Sequence, residues 1–171
     1  MLHVLKENET RKCNGCTVCC DVLNVTDKES GFYKKGGEKC PHLGETGCTI
    51  YETKPSVCTG YLCMWAVNLG NWFKDVHRPD RCGILATMNN IDSTFTQTTG
   101  LPTITLYEVV PGAFTSYWGA NLINKIAKKF ICILKTDANR NSGRTTMIGP
   151  IKSLRSVEMF EKARKLNGEM Y

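Results

Sequence analysis

Ten cysteines stand in this chain of 171 residues, and eight of them fall at or before Cys63. The densest block is Cys13-Asn14-Gly15-Cys16-Thr17-Val18-Cys19-Cys20, a C-x2-C-x2-C-C run. A C-x2-C loop lets two thiolates converge on one ion, with backbone amides turned toward the sulfurs. Two overlapping steps place three thiolates on one small concave surface. With a fourth from elsewhere they suit a 4Fe–4S cube, and they equally suit tetrahedral zinc. Gly15 permits the tight, positive-φ turn that such a loop often needs. Adjacent side chains tend to diverge, so Cys19 and Cys20 are expected to serve different roles.

The second group is more widely spaced. It comprises Cys40-Pro41-His42, Cys48 within Cys48-Thr49-Ile50-Tyr51-Glu52, Cys58 three residues after Pro55, and Cys63 before Met64-Trp65. Proline directly after a cluster cysteine also occurs in bacterial ferredoxins. Eight thiolates can fill two four-thiolate zinc sites. They can also hold one iron–sulfur cluster, with the remaining thiols in supporting roles. Spacing alone leaves both open, and we take the cube first.

The remaining candidates are weaker. His42 is a possible fourth ligand, but eight neighbouring thiolates make a supporting or surface role the better expectation. His3 and His77 have no partner pattern and are expected at the surface. Cys82, between Arg78 and Arg81 on one side and a strand on the other, reads as packing rather than as a reactive thiol. Cys132 between Ile131 and Ile133 reads as core. Tyr51-Glu52 offers one acid with no base or nucleophile placed beside it. No Ser-His-Asp order, P-loop or GxGxxG appears, nor the C-x3-C-x2-C of radical S-adenosylmethionine enzymes.

Clustered cysteines mean disulfides or metal, and the compartment decides between them. The N-terminal stretch has no apolar run leading to a cleavage site. No apolar run approaches the ~20 residues of a membrane span. The expectation is therefore a cytoplasmic, reducing setting without membrane contact, where such thiols are ligands.

Residues 13–65 resemble the YkgJ-like cysteine-cluster family, a zinc- or iron-chelating domain with a CxxCxxCC signature. The resemblance rests on Cys13, Cys16, Cys19 and Cys20, then Cys40-Pro41, Cys48, Pro55 before Cys58, and Cys63 before Trp65. Arg78-Pro79-Asp80 and Glu108-Val109-Val110-Pro111-Gly112 are similar to longer members. Lys54 stands where the family commonly has arginine. The resemblance implies metal binding by all eight cysteines and no particular reaction. A cysteine domain of similar pattern occurs in flagellin lysine methylases with an iron–sulfur cluster. Methylation is not carried over, because no S-adenosylmethionine site is recognisable here.

The elements that must position these thiols divide near residue 70. Residues 1–70 form the cysteine-cluster region, punctuated by Gly15, Gly31, Gly36-Gly37, Pro41, Gly44, Gly47, Pro55 and Gly60. So broken a segment buries little apolar surface, and metal would take the place of a core. One helix is expected there, with Pro55 in its first turn and Val57, Tyr61, Met64 and Trp65 at helical spacing. Residues 71–171 read as α+β, packed with the first region into one unit. Strands are expected at 83–88 and 103–110, a helix at 113–129, strands at 130–135 and 144–148, and a final helix capped by Ser153. This ββαββα order predicts a small, mainly antiparallel sheet covered by helices.

Charge is uneven. The chain holds 22 Lys+Arg against 16 Asp+Glu, net +6, and residues 121–171 carry 11 basic and four acidic side chains, or +7. Lys125, Lys128 and Lys129 fall on the polar side of an amphipathic helix, so a solvated face is the first reading and nucleic acid the second. The expected function is a protein holding an iron–sulfur cluster or zinc, with an accessory redox or maturation role. The alternatives are a structural zinc module presenting an interaction surface and a metal-dependent modifying enzyme.

Overall fold

The computed structural model describes residues 11, 15–61, 63–68, 71–88, 103–136 and 144–150. Cys13, the turn at 137–143 and the helix expected after Ser153 lie outside them.

The cysteine-rich part is built of very short elements. Helix α1 (Val18–Val22) leads into a hairpin of β1 (Val25–Asp27) and β2 (Phe32–Lys34). Val25 pairs with Lys34 and Asp27 with Phe32, so these four share one face, and Tyr33 stands out to solvent. A second hairpin joins β3 (Leu43–Gly44) to β4 (Gly47–Cys48). A single 3-10 turn, Tyr51–Thr53, precedes helices α2 (Ser56–Thr59) and α3 (Met64–Val67).

The single helix expected from Pro55 is thus two. Between α2 and α3, Cys63 is extended (φ −71°, ψ 157°). The cause is burial. Met64, Trp65, Ala66 and Val67 are all within the core, whereas Val57 is exposed. A continuous helix buries one stripe, and a separate turn can be enclosed on every side.

Next come a 3-10 turn, Asp75–His77, and helix α4 (Pro79–Cys82), which begins on proline and ends at Gly83 with φ 70°. A Cβ at Gly83 would lie 2.8 Å from Val110 Cβ, and the Gly83 carbonyl accepts from Val109 N at 2.8 Å. Glycine is required there on both counts.

The main sheet has the order β5-β6-β7-β8: β5 (Ile84–Met88), β6 (Thr103–Glu108), β7 (Ile131–Lys135) and β8 (Thr145–Ile148). The outer pairings are antiparallel and the central one, β6 with β7, is parallel. Helix α5 (Tyr117–Ala127) forms the crossover that a parallel pair requires. The protein is α+β with a mainly antiparallel sheet. Ser116 caps α5, its Oγ accepting from Gly119 N at 3.1 Å. Leu122, Ile123 and Ile126 then close on Ile84, Ala86, Ile104, Leu106 and Cys132. Met64, Trp65 and Phe73 join the same cluster, so α3 anchors the cysteine-rich part to the sheet.

Candidate metal centre

The seven described cysteines of the predicted set are all half-buried. Cys16 follows Gly15, whose φ of 83° supplies the expected left-handed turn. Cys19 and Cys20 lie in α1, Cys48 ends β4, Cys58 lies in α2 and Cys63 precedes α3. Cys40 precedes the second hairpin, its carbonyl accepting from Leu43 N at 3.0 Å. Cys20, Cys40, Cys48 and Cys58 are thiols outside any disulfide.

These residues do not form one even shell. The side chains of Cys19 and Cys20 are hydrogen-bonded. That bond is the main reason the Cys20 thiol is held down to about 7. Burial and Asp21 oppose it, and the cations Lys34 and Lys54 reinforce it. Cys58 goes the other way. Burial raises its pKa first, and the nearby charges of Cys20, Cys40 and Cys48 raise it further. Like charges penalise one another only when close, so Cys20, Cys40 and Cys48 lie within electrostatic reach of Cys58, and Cys19 adjoins Cys20 in α1. The charge of Cys16 acts on Arg78 and Cys82. Cys63 packs against the core cluster.

Among the described residues, no group of three or more His, Cys, Asp or Glu side chains has the closure that holds a metal ion. The fit to a soft cation is therefore one of donor chemistry and neighbourhood: gathered thiols, one close to thiolate at neutral pH, with two cations at hand.

Other candidates settle into structural roles. His42 packs its ring against Phe32, centroids 5.4 Å apart, and its carbonyl accepts from Thr49 N at 2.9 Å. Cys82 donates to the carbonyls of His77 (3.3 Å) and Ile84 (3.5 Å), and burial pushes its thiol up to about 11. Cys132 is fully enclosed in β7 and is pushed to about 12.

His77 is not at the surface as expected but 1% exposed. Its Nδ1 accepts from Lys74 N at 3.0 Å, and Lys74 O accepts from His77 N at 2.9 Å. Phe73 and Trp118 stand edge-on to the ring, and Nε2 is buried with no hydrogen-bond partner among the described residues. Burial, then Lys125 and Lys74, lower its pKa. The aromatic pair Trp72-Phe73, five and four residues upstream, was the available signal for this burial.

Lys34 also escaped the sequence reading. It is 4% exposed, and its Nζ donates to the carbonyls of Asp21 (3.1 Å), Lys35 (3.0 Å) and Glu38 (2.6 Å). The signal was the two-residue alternation that puts Phe32 and Lys34 on one face.

A groove of about 670 Å³ runs beside the cysteine loop. It is lined by Gly15, Thr17, Val18 and Asp21 on the cysteine loop side, by Leu43, Gly44 and Glu45 of the second hairpin, and by Val109 just after β6. The chain matches no family model, no curated protein and no solved structure. Among the described residues, no helix is long and apolar enough to cross a membrane.

Proposed function

We propose that this chain is a cytoplasmic metal-binding protein that holds an iron–sulfur cluster, 4Fe–4S first, or zinc through Cys13, Cys16, Cys19, Cys20, Cys40, Cys48, Cys58 and Cys63. The observation that carries the reading is that Cys19, Cys20, Cys40, Cys48 and Cys58 are half-buried on or beside short elements of one segment, and that α2, which bears Cys58, packs against the first hairpin. The resemblance of residues 13–65 to the YkgJ-like cysteine-cluster pattern supports it. So does local architecture. The two hairpins and helices α1 and α2 bury little apolar surface of their own, and metal binding supplies folding free energy in such segments. Bound iron–sulfur would supply one-electron chemistry, and bound zinc would supply shape. An accessory redox or maturation role follows from the first.

The second reading is a structural zinc module that presents an interaction surface. Tyr33 at 64% exposed and Tyr51 at 54%, both on the cysteine-rich part, favour it. Metal analysis with a visible spectrum on anaerobically purified protein separates the two. Brown protein with acid-labile sulfide supports the cluster. Colourless protein with stoichiometric zinc supports the module. Protein purified without oxygen that holds neither metal, and takes up neither on reconstitution, sinks both.

A further inference from the structure

A lysine ammonium is among the most expensive groups to shut away from water, and structures bury it when something nearby carries the opposite charge. Lys34 is 4% exposed, and its three recorded acceptors are neutral backbone carbonyls. None of the neighbouring acids forms an ion pair with it among the described residues. Asp27, buried on the same hairpin face, accepts from Glu29 N and Ser30 Oγ. Asp21 gives Lys34 its carbonyl, while its own Oδ1 has no hydrogen-bond partner among the described residues. The side-chain ion pair found among the described residues, Arg78–Asp80, is a different one. Lys34 is thus a buried lysine without a carboxylate ion-pair partner among the described residues, and its Nζ is bonded to the carbonyl of the residue that follows Cys20.

The three carbonyls explain where the ammonium sits. Asp21 belongs to α1, which carries Cys19 and Cys20, and Lys35 and Glu38 belong to the turn that leads into Cys40. One ammonium therefore ties two cysteine-bearing segments together. Carbonyl dipoles offset part of its desolvation and leave its net charge. Four thiolates around Zn²⁺ carry two net negative charges, and so do four thiolates around a 4Fe–4S core in its 2+ state. Burying such a dianion is costly unless a cation lies beside it.

We propose that Lys34 is the built-in counter-charge of an anionic thiolate–metal centre at the Cys19–Cys20 end of the cysteine cluster, and a positioning residue for it. This rests on the metal-binding reading above. Lys34 touches no metal. It acts by holding α1 to the Cys40 segment and by making negative charge there less costly.

The test is zinc affinity by chelator competition on the reduced full chain and three variants. Lys34→Gln keeps N–H donors for the carbonyls and removes the charge. Lys34→Arg keeps the charge. Lys28→Met removes an exposed lysine from the same hairpin. Lys34→Gln is expected to weaken zinc binding about 10–100-fold, the usual cost of losing a group that supports metal ligands. Lys34→Arg should stay within a few-fold of the native chain, and Lys28→Met should match it. Hydrogen exchange over residues 103–136, whose buried core contains no cysteine of the set, reports whether each variant is folded. Should Lys34→Gln unfold, Lys34→Arg still decides: loss of zinc by a folded Lys34→Arg chain overturns a role for charge. Equal affinity of Lys34→Gln and native chain also overturns it and leaves metal binding intact. If the native chain binds no zinc or cluster, the metal reading itself falls.

Discussion

Replacing Gly119 by alanine should destabilise the protein, although alanine is the better helix former. Gly119 is buried in the first turn of α5. Helix propensity alone favours the change by about 1 kcal/mol. The environment opposes it. A Cβ at this position would overlap the Ala113 carbonyl oxygen and come within 2.8 Å of Ile84 Cδ1 and 3.0 Å of the Ala113 carbonyl carbon. The carbonyl cannot yield alone, because Ser116 Oγ donates to it at 2.8 Å while accepting from Gly119 N at 3.1 Å. Moving α5 outward strains or breaks that cap, worth about 1 kcal/mol, and opens the packing of Leu122 on Ile84. Overpacking of this kind costs about 1–3 kcal/mol. The net is a loss of about 2 kcal/mol. Urea unfolding followed by tryptophan fluorescence and far-UV circular dichroism measures it, with Asn124→Ala on the exposed face of α5 as the control. Gly119→Ala protein as stable as the native chain, or more so, would refute the reasoning and the close approach on which it rests.

His77 should make the fold acid-labile. Its folded pKa is lowered by burial from 6.5, so its contribution is fully present above that value and is lost as pH falls below it, by up to about 1.4 kcal/mol per pH unit. The substitution His77→Asn keeps an acceptor for Lys74 N and should abolish this part of the pH dependence; an unchanged stability–pH profile would show that His77 does not titrate with unfolding. Serine at Cys16 and Cys19 should lower metal content as measured by elemental analysis, whereas Cys132→Ser should keep the metal and lower stability by about 1–3 kcal/mol through a buried hydroxyl. Retained metal after Cys13, Cys16 and Cys19 are all replaced would show the site to be misplaced. Duplex DNA should bind weakly at low salt and be released near physiological ionic strength, because Lys125, Lys128 and Lys129 are exposed at the C-terminal end of α5 and just beyond it. Tight binding in about 150 mM salt, lost when the three become glutamine, would instead make the basic end a nucleic-acid surface.

The strands and α5 were legible because their periods are local. Alternating β-branched residues from Thr103, and the apolar recurrence of Leu122, Ile123 and Ile126, need no knowledge of distant chain. Cysteine spacing was legible for the same reason, since the positive-φ turn at Gly15 depends on residues beside it. Sequence spacing alone left open which thiols meet. The influence of Cys20, Cys40 and Cys48 on Cys58 depends on how α2 packs against the first hairpin. Burial of polar groups left only a faint local trace, the alternation of Phe32 and Lys34 and the aromatic pair before His77. Lys34 and His77 are ordinary surface residues by type, and part of what encloses them, the Asp21 carbonyl and the Trp118 ring, comes from elsewhere in the chain. The same holds for the split between α2 and α3. Val57 to Trp65 satisfies a helical period, but Met64–Val67 gains more from being surrounded by Phe73, Ile84 and Ala86 than from continuing the helix. Local periodicity sets what an element can be. The free energy of burying it against distant partners decides where it stops and which polar groups go in with it.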